Sequence, residues 1–372
     1  MHIACVIHSL DGGGAERVMA GLVSRLASRG HRITLVTLGD GASRHRVADS
    51  VRVINLNVMS RAHERVPVWR RLRKLSRTLR ELDPNVVLSF CDQINLLVLI
   101  ATRPACSFPI VVSERSDPRV QKMGWFKEWL RRQLYRYASR VVALTDEVAT
   151  YLAETTGAQT TVIPTAVELP DSFCKRTESA DDPSNGEPKP LLLVAAGRLE
   201  REKGFDRLID ALAELPSSVD WTLELLGEGS QRSALQQQVI DHGLSDRVRM
   251  PGWHPIWDVL ERADVFVLPS RYEGFPSAML EAMASGTAVV AVDIGGGVRK
   301  AIEHGVNGWL TKNTIAGITS GLQTLAGDPA LRRRLAKSAE TVNTRFSWAA
   351  MVDQYERLLR ESCNGDVNSA RS

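Results

Sequence analysis

Residues 3–38, IACVIHSLDGGGAERVMAGLVSRLASRGHRITLVTL, decide the fold class. The run Ile3–Ile7 is continuously apolar, a glycine loop follows it, and Ala15–Arg29 carries apolar residues at four-residue spacing. Gly30 ends this predicted helix, and Ile33–Leu38 is a second apolar run. This order is that of a βαβ unit, which consists of a buried strand, a glycine loop, an amphipathic helix and another buried strand. The pattern predicts a parallel sheet covered by helices on both faces.

The same alternation runs through the rest of the chain in two halves. Residues 168–189 hold prolines, serines and acids but almost no large apolar residues, which predicts a linker. We expect an N-terminal domain over 1–167, a C-terminal domain over 190–345, and a helix and tail over 346–372 that could cross back to the first domain. Two doubly wound halves of this kind predict a ligand cleft between them. Further predicted strands are Asn85–Phe90, Ile110–Ser113, Val141–Thr145, Leu191–Ala196, Trp221–Leu226, Val265–Leu268 and Ala288–Val292.

The composition narrows the class of protein. The 372 residues are 44% hydrophobic and 24% charged, as in globular proteins, and the formal net charge is only +4. No nucleic-acid recognition motif accompanies this mild charge, so a nucleic-acid partner is not expected. The five cysteines form no CxxC, which favours a reducing compartment. No stretch reaches the roughly 18 apolar residues of a membrane span, so we expect a cytoplasmic protein that can contact a membrane surface.

Each half places polar residues after its first strand. In the second half, Gly197 and Arg198 follow the predicted strand, and Lys203 precedes the next helix. An arginine and a lysine on one strand-to-helix turn can bind the same diphosphate, although two exposed surface cations would give the same pattern. In the first half, Gly13 and Gly14 precede a helix N-terminus that favours an anion, but a plain tight turn fits equally well.

Two glutamates mark a second segment, PSRYEGFPSAMLE over residues 269–281. Glu273 lies before a predicted helix that starts near Ser277, and Glu281 lies in its second turn. Ionised carboxylates accept strong hydrogen bonds from hydroxyl groups, so the pair suits a polyhydroxylated ligand. A glutamate on a solvated helix face is the simpler interpretation, but apolar residues surround Glu281.

These motifs together resemble the retaining glycosyltransferases of family 4, which have the GT-B fold of two Rossmann-like domains facing a central cleft. The Glu273…Glu281 spacing, the Gly197-Arg198…Lys203-Gly204 turn and the later Gly295-Gly296-Gly297 carry the resemblance. The first half adds Gly13-Gly14-Ala15-Glu16-Arg17 and Ser113-Glu114-Arg115, which are similar to a branch that builds bacterial cell-surface polysaccharide.

The resemblance implies a role for each matching residue. Arg198 and Lys203 would bind the donor diphosphate and offset charge on the leaving nucleotide, and Glu281 would bind the ribose. Glu273 would bind the transferred sugar, together with the backbone of Gly274, Phe275 and Pro276. Gly13 and Gly14 would lie against the phosphates or the acceptor. Gly197 belongs to the same donor site, and Gly227 and Trp253 would lie around the base.

The chain departs from the family pattern in three places. Ser113-Glu114 stands where many relatives have His-Asp, and we assign Glu114 the sugar-facing catalytic role. Pro164-Thr165-Ala166 replaces a usual Pro-Asn on the acceptor side, and Arg299-Lys300 replaces an acid after the glycines. The latter pair is either an additional cation near the donor phosphates or a surface change.

Two basic stretches stand out in the first half. Residues 61–80 hold eight Lys or Arg and one acid, including Arg70, Arg71, Arg73 and Lys74. Residues 119–140 hold seven and one acid, interleaved with aromatic residues such as Trp125 and Trp129. Basic residues mixed with aromatics suit an anionic lipid surface. Two ordinary helices with solvated charged faces remain the alternative.

The sequence therefore predicts transfer of a hexose or N-acetylhexosamine, with retention, from a nucleotide sugar to a polyprenyl-diphosphate-linked glycan. UDP is the expected nucleotide by analogy, and the expected location is the inner face of the cytoplasmic membrane. No metal cofactor is expected, since the chain has no D-x-D and its histidines have no ligand spacing. The alternatives are a catalytically silent sugar-nucleotide-binding protein, a transferase with a soluble acceptor, and a nicotinamide enzyme that would need Asp40 as its ribose-binding acid.

Overall fold

The computed structural model describes residues 1–39, 43–59, 66–103, 108–175 and 189–369, the last five of these by backbone alone. Asp40, residues 61–65 of the first basic stretch and residues 176–188 of the predicted linker lie outside the described residues. Two compact units divide the chain. The first is Met1–Ala166 together with Trp348–Ser372, and the second is Val167–Ser347. The chain thus enters the second unit at Val167 and returns to the first at Trp348.

The first unit is built on a seven-stranded sheet with the order β3-β2-β1-β4-β5-β6-β7, and neighbouring strands pair in parallel. Its strands are β1 (His2–Ile7), β2 (Arg32–Thr37), β3 (Arg52–Asn55), β4 (Val86–Phe90), β5 (Ile110–Ser113), β6 (Arg140–Ala143) and β7 (Thr160–Val162).

Helices cover both faces of this sheet, as the continuous apolar strands require. They are α1 (Gly14–Ser28), α2 (Val68–Leu82), α3 (Asp92–Thr102), α4 (Trp125–Leu134), α5 (Asp146–Thr156) and, after the second unit, the returning helix α14 (Trp348–Ser369). One apolar core contains Ile3, Cys5 and Ile7 of β1 with side chains of α1 and α14. The other core contains the alternate β1 residues with side chains of α2, α3 and α5.

The second unit repeats this architecture with a six-stranded parallel sheet of order β10-β9-β8-β11-β12-β13. Its strands are β8 (Leu191–Ala196), β9 (Trp221–Leu226), β10 (Val248–Gly252), β11 (Val265–Leu268), β12 (Ala288–Val292) and β13 (Trp309–Thr311). Its helices are α6 (Phe205–Ala213), α7 (Arg232–Asp241), α8 (Ile256–Leu260), α9 (Ser277–Ala284), α10 (Gly296–Ala301), α11 (Ile315–Gly327), α12 (Pro329–Ala339) and α13 (Val342–Arg345). The prediction of two doubly wound parallel sheets is confirmed.

The first residues of the segment predicted as a linker pack on the second unit. The Lys175 ammonium donates to the carbonyls of Leu260 and Ala263 at 2.7 and 2.9 Å and to the Thr287 hydroxyl at 2.7 Å. This part of the segment is therefore held in place by side-chain contacts that its polar composition does not reveal.

Each sheet reverses its strand order at one place, between β1 and β4 in the first unit and between β8 and β11 in the second. At such a switch point the connections leave the two strands in opposite directions, which opens a crevice at their carboxyl ends. The loops that follow β8 and β11 carry most of the predicted donor-binding residues.

Candidate active site

The candidate site of the second unit lies at the carboxyl ends of β8 and β11. The loop after β8 holds Gly197 and Arg198 and ends in a 3₁₀ turn, Arg201–Lys203. The loop after β11 runs from Pro269 to Pro276 and leads into α9. Gly204, with φ +68°, lets the two loops touch, since a Cβ there would lie 2.2 Å from the Pro269 carbonyl oxygen. The switch point therefore brings two distant motifs into contact.

Lys203 and Glu273 meet across these loops. The Lys203 ammonium lies 2.6 Å from Glu273 Oε1, which also accepts a hydrogen bond of 2.7 Å from the Ser270 hydroxyl. Both charged side chains are mostly shielded from solvent, so their attraction is stronger than that of a surface pair. The structure thus joins the residue predicted to bind the diphosphate with the one predicted to bind the sugar.

Arg198 presents a different environment. Its side chain is 65% exposed, and its guanidinium contacts Glu202 Oε1 at 3.0 Å. An exposed pair of this kind contributes little to stability and is easily exchanged for another anion. Arg198 is therefore more accessible to a ligand than Lys203, whose ammonium is held by Glu273.

The glycine loops bring the ends of β8, β9 and β10 together. A Cβ on Gly227 would lie 1.9 Å from the Gly197 carbonyl oxygen, and the Gly227 amide donates to the Gly252 carbonyl at 2.8 Å. Both Gly227 and Gly252 have positive φ, so a side chain at either position would strain the backbone as well. Trp253 follows Gly252 and is half exposed. The predicted base-binding residues thus adjoin the Arg198 loop.

Glu281 and Phe275 are more deeply buried. Glu281 lies in the second turn of α9 and is 4% exposed, and the Phe275 ring packs edge-on against Phe346 at a centroid distance of 5.4 Å. The Phe275 ring is therefore engaged in the core of the second unit. Gly297 packs against the turn before α9, since a Cβ there would lie 2.7 Å from the Gly274 carbonyl oxygen. Pro276 is the residue that precedes the helix.

Sequence reasoning missed the residues that join the two loops, Arg271 and Asp206 among them. The Arg271 guanidinium makes hydrogen bonds of 2.7 and 2.6 Å to the Asp206 carboxylate. The only signal in the sequence is the position of each residue close to a motif residue, which does not by itself predict a contact.

In the first unit, Gly13 and Gly14 lie at the carboxyl end of β1. Gly13 precedes α1 and Gly14 is its first residue, with no side-chain cap on the helix. The Glu16 side chain folds back over Gly13, since a Cβ on Gly13 would lie 2.0 Å from Glu16 Oε2. This loop is therefore covered by a carboxylate, which an incoming anion would have to displace.

Glu114 follows β5 and is completely buried within the first unit. Its carboxylate accepts hydrogen bonds of 2.8 Å from the Tyr135 hydroxyl and 3.1 Å from the Ser116 hydroxyl, and Arg131 Nε lies 3.8 Å away. Burial raises the pKa of Glu114 to about 7, against the charge of Arg131, which lowers it. The structure thus places this predicted catalytic residue in a polar cluster that also contains Asn95.

The residues at the two other departures from the family pattern also form side-chain hydrogen bonds. The Arg115 guanidinium donates to the Thr165 hydroxyl at 2.8 Å, so the residue that replaces asparagine is tied to the segment after β5. Arg299 forms a two-pronged pair with Asp293, with both contacts at 2.7 Å, and this hydrogen bond lowers the pKa of the Asp293 carboxyl. Arg299 is therefore already neutralised by a carboxylate.

The residues predicted to contact a membrane lie on α2 and α4, which both pack against α3 on one face of the first sheet. Trp125 is 84% exposed, and its ring meets Phe126, which in turn stacks on Trp129. On α2, Arg70, Arg73 and Lys74 are exposed and Arg71 is partly buried. Arg71 Nε donates to the Val66 carbonyl at 2.9 Å, and Lys74 Nζ donates to the Leu56 carbonyl at 2.7 Å. No helix among the described residues is long and apolar enough to span a bilayer.

Two family models match the chain and together cover most of both units. A glycosyl transferase 4-like domain matches residues 13–166, and the model described as glycosyl transferases group 1 matches residues 177–342.

Curated relatives extend this similarity. The lipopolysaccharide core biosynthesis glycosyltransferase LpsE of Rhizobium meliloti is 27% identical, with 93% of this chain and 96% of that protein aligned. A Campylobacter jejuni N-acetyl-D-galactosaminyltransferase, named for a diNAcBac-PP-undecaprenol-linked acceptor, is 23% identical over 98% of this chain and 99% of its own length. An exopolysaccharide phosphotransferase of Streptomyces coelicolor is 30% identical, but the aligned part spans only 24% of that protein.

Among solved structures, Anabaena HepE in complex with UDP-glucose superimposes with a TM-score of 0.78. The alignment covers 97% of this chain and all of that one, at 23% identity. The predicted GT-B fold is thereby confirmed.

Proposed function

The chain belongs to the glycosyltransferases built from a 4-like domain and a group 1 domain, and we propose that it transfers a hexose or N-acetylhexosamine from a UDP-sugar, with retention, to a polyprenyl-diphosphate-linked glycan. The Lys203–Glu273 contact at the β8/β11 switch point carries the proposal. It joins a cation suited to a diphosphate and a carboxylate suited to a sugar at the place where this kind of sheet binds ligands.

The proposed reaction needs no protein nucleophile. The bond between the sugar C1 and the diphosphate oxygen breaks, and a bond from C1 to the acceptor oxygen forms on the same face of the sugar. The acceptor hydroxyl gives its proton to the departing phosphate oxygen. Lys203 and Arg198 stabilise the negative charge that grows on the diphosphate, and electrostatic stabilisation of this kind is commonly the largest catalytic contribution. With these two cations in place we propose catalysis without a metal.

The remaining donor contacts follow from the same proposal. Glu281 accepts hydrogen bonds from the ribose hydroxyls, Glu273 binds the sugar hydroxyls, and Trp253 lies beside the base. Glu114 faces the sugar only if its carboxyl exchanges its hydrogen bonds with Ser116 and Tyr135 for bonds to the ligand.

The acceptor class rests on the relatives. The Campylobacter relative carries an undecaprenyl diphosphate acceptor in its name, and LpsE is named for lipopolysaccharide core synthesis. A lipid-linked acceptor lies at a bilayer surface, which gives the exposed aromatic and basic side chains of α2 and α4 a function. We therefore place the enzyme on the cytoplasmic face of the membrane.

The donor is tested with a panel of nucleotide sugars scored by thermal melting. At 100 times its Kd a ligand adds about 2.7 kcal/mol, which should raise the melting temperature by roughly 5–10 °C. We expect this shift with UDP-sugars and not with ADP- or GDP-sugars, and we expect Glu281→Gln to reduce it. Glu261→Gln, a glutamate of the same unit away from the two loops, is the control and should keep the full shift.

Turnover then separates an enzyme from a silent binding protein. The stabilising sugar nucleotide should release UDP slowly in water and faster with a lipid-linked acceptor. Stabilisation without any UDP release would identify a binding protein, and faster release with a soluble glycan alone would change the acceptor class.

Membrane contact is tested with vesicles that contain anionic lipid. Each cation near such a surface contributes about 1 kcal/mol, so Arg70→Ala with Arg73→Ala should weaken binding by roughly tenfold or more. Trp125→Ala with Trp129→Ala should weaken it independently, because these rings would lie at the headgroup level.

The control variant for vesicle binding is Arg77→Ala. Arg77 lies on the same helix α2 but forms an i,i+4 pair with Glu81 at 2.7 Å, so a neighbouring acid offsets part of its attraction to an anionic surface. A general charge effect predicts that Arg77→Ala, which removes one cation, loses half the binding free energy lost by the Arg70/Arg73 double variant, which removes two. A loss of that size would argue against a defined membrane face.

A further inference from the structure

The two donor loops are joined by a second contact that sequence reasoning did not find. Arg271 lies in the loop after β11, two residues before Glu273, and it reaches back to the turn that ends in Lys203. Its backbone amide donates to the Glu202 carbonyl at 2.8 Å, and its Nη1 donates to the Arg201 carbonyl at 2.8 Å. One residue thus bonds to both residues that precede Lys203 in the turn.

The same guanidinium is anchored by a carboxylate. Nη1 and Nη2 of Arg271 contact the two oxygens of Asp206 at 2.7 and 2.6 Å, in the parallel geometry that makes arginine–carboxylate pairs strong and directional. Burial opposes ionisation of Asp206, but the hydrogen bonds from Arg271 outweigh it, and the pKa of this carboxyl lies below its usual value. Asp206 is in the first turn of α6, so the pair also fixes the turn against a helix.

This second contact differs from the Lys203–Glu273 pair in one respect that matters for binding. A donor diphosphate that engages Lys203, and a sugar that engages Glu273, would both weaken the contact between these two side chains. The Arg271 guanidinium is paired with Asp206 and also donates to the Arg201 carbonyl, so its partners are protein groups other than Lys203 and Glu273. A donor that engages Lys203 and Glu273 therefore does not need to break this contact.

We propose that Arg271 and Asp206 are positioning residues, which keep the Lys203 turn and the Glu273 loop in register while the donor separates Lys203 from Glu273. The inference rests on the proposed transferase function of this site. A displacement of about 1 Å at a reacting group can cost 10²-fold in rate. Loss of the pair should therefore reduce kcat more than it changes the donor KM.

The test compares Arg271→Gln, Asp206→Asn and the double variant with the wild type. We expect each single change to lower kcat by about 10–100-fold with the donor KM changed less than about threefold. The kcat of the double variant should be no lower than that of the less active single variant, because either change already breaks the Arg271–Asp206 pair. If Arg271→Gln does not fold, Asp206→Asn, which keeps the size of the side chain, carries the test.

A matched control exists in the same unit. Arg262 also donates to both carboxylate oxygens of a partner, Glu224, at 2.7 and 2.8 Å, although through Nη2 alone, and it lies before β11 rather than after it. Arg262→Gln should leave kcat within about twofold even where it lowers the melting temperature. An equal loss of kcat in Arg262→Gln would reduce the effect to general destabilisation and overturn the proposal.

Two further outcomes decide between mechanisms. If Asp206→Asn keeps wild-type kinetics while Arg271→Gln raises the donor KM tenfold or more, Arg271 binds the donor directly and the proposal is wrong.

Hydrogen exchange of the amides in residues 198–204 and 269–276 gives a readout without turnover. We expect faster exchange there in both single variants of the unliganded protein, and unchanged exchange would overturn the proposal. A wild type without turnover on any sugar nucleotide would instead refute the proposed function, and the exchange result would still report on the Arg271–Asp206 contact.

Discussion

Replacing Lys203 with alanine should lower the rate of sugar transfer by about 10²–10³-fold, the cost typical of removing one preorganised stabiliser of transition-state charge. The ammonium is held 2.6 Å from Glu273 and is mostly shielded from water, so its field acts on the leaving diphosphate with little screening. Among the described residues, the change also leaves the Ser270 hydroxyl as the one remaining hydrogen-bond partner of Glu273 Oε1. The initial rate of UDP release with saturating acceptor measures the effect.

Arg198→Ala should cost less than Lys203→Ala, because the Arg198 side chain is 65% exposed and solvent screens its charge. Arg201→Ala is the control for the turn itself. Arg201 is exposed, and the alanine variant retains the backbone carbonyl that accepts from Arg271. An equal loss for Arg198 and Lys203, or a large loss for Arg201, would contradict the larger share of leaving-group stabilisation that we assign to Lys203.

The sequence predicted the central strands because they are buried on both faces. Leu191–Ala196 and Ala288–Val292 lie where their apolar runs indicate, and each is flanked by other strands of its sheet. All four edge strands, β3, β7, β10 and β13, were missed. None of them is buried throughout, so a continuous apolar run is not required there.

The sequence predicted the site residues whose type and spacing form a recognisable motif. It did not predict the contacts between residues that are distant in the chain. Glycines, a cation and two carboxylates at fixed spacing indicated the loops after β8 and β11. The sequence does not show that Lys203 and Glu273 touch, that Arg271 reaches Asp206, or that Glu114 lies in a buried cluster. These contacts join residues that can be 70 positions apart, as Lys203 and Glu273 are, and only the sheet topology brings them together.

Replacing Arg131 with alanine should destabilise the first unit by about 3–5 kcal/mol at pH 8. This is the usual cost of removing one partner of a buried ion pair, because the other charge is left unpaired. Arg131 is 2% exposed although it lies on α4, whose aromatic side chains are exposed. Its guanidinium lies 3.8 Å from Glu114 Oε2 and 3.2 Å from Glu128 Oε2. Without it, the fully buried Glu114 carboxylate has no cation within this distance among the described residues.

The size of this loss should depend on pH through Glu114. Burial raises the folded-state pKa of Glu114 to about 7, above the value of an unfolded chain, and Arg131 limits that rise. A carboxyl with a raised folded-state pKa contributes stability below its unfolded pKa and loses this contribution as pH rises through the folded value. In the Arg131→Ala variant the folded-state pKa is higher still, so the loss continues above pH 7. The gap in stability between wild type and variant should therefore be larger at pH 8 than at pH 6.

Native-state hydrogen exchange of the β5 and α4 amides at pH 6 and pH 8 measures this gap within the first unit alone. Arg132→Ala, an exposed arginine next along the same helix, should change the free energy of opening by less than about 0.5 kcal/mol at either pH. Glu114→Gln combined with Arg131→Ala should recover part of the loss, since an uncharged amide does not need a cation to be buried. An equal loss at both pH values, with no recovery in the double variant, would mean that Arg131 stabilises α4 by packing alone and that Glu114 is not its electrostatic partner.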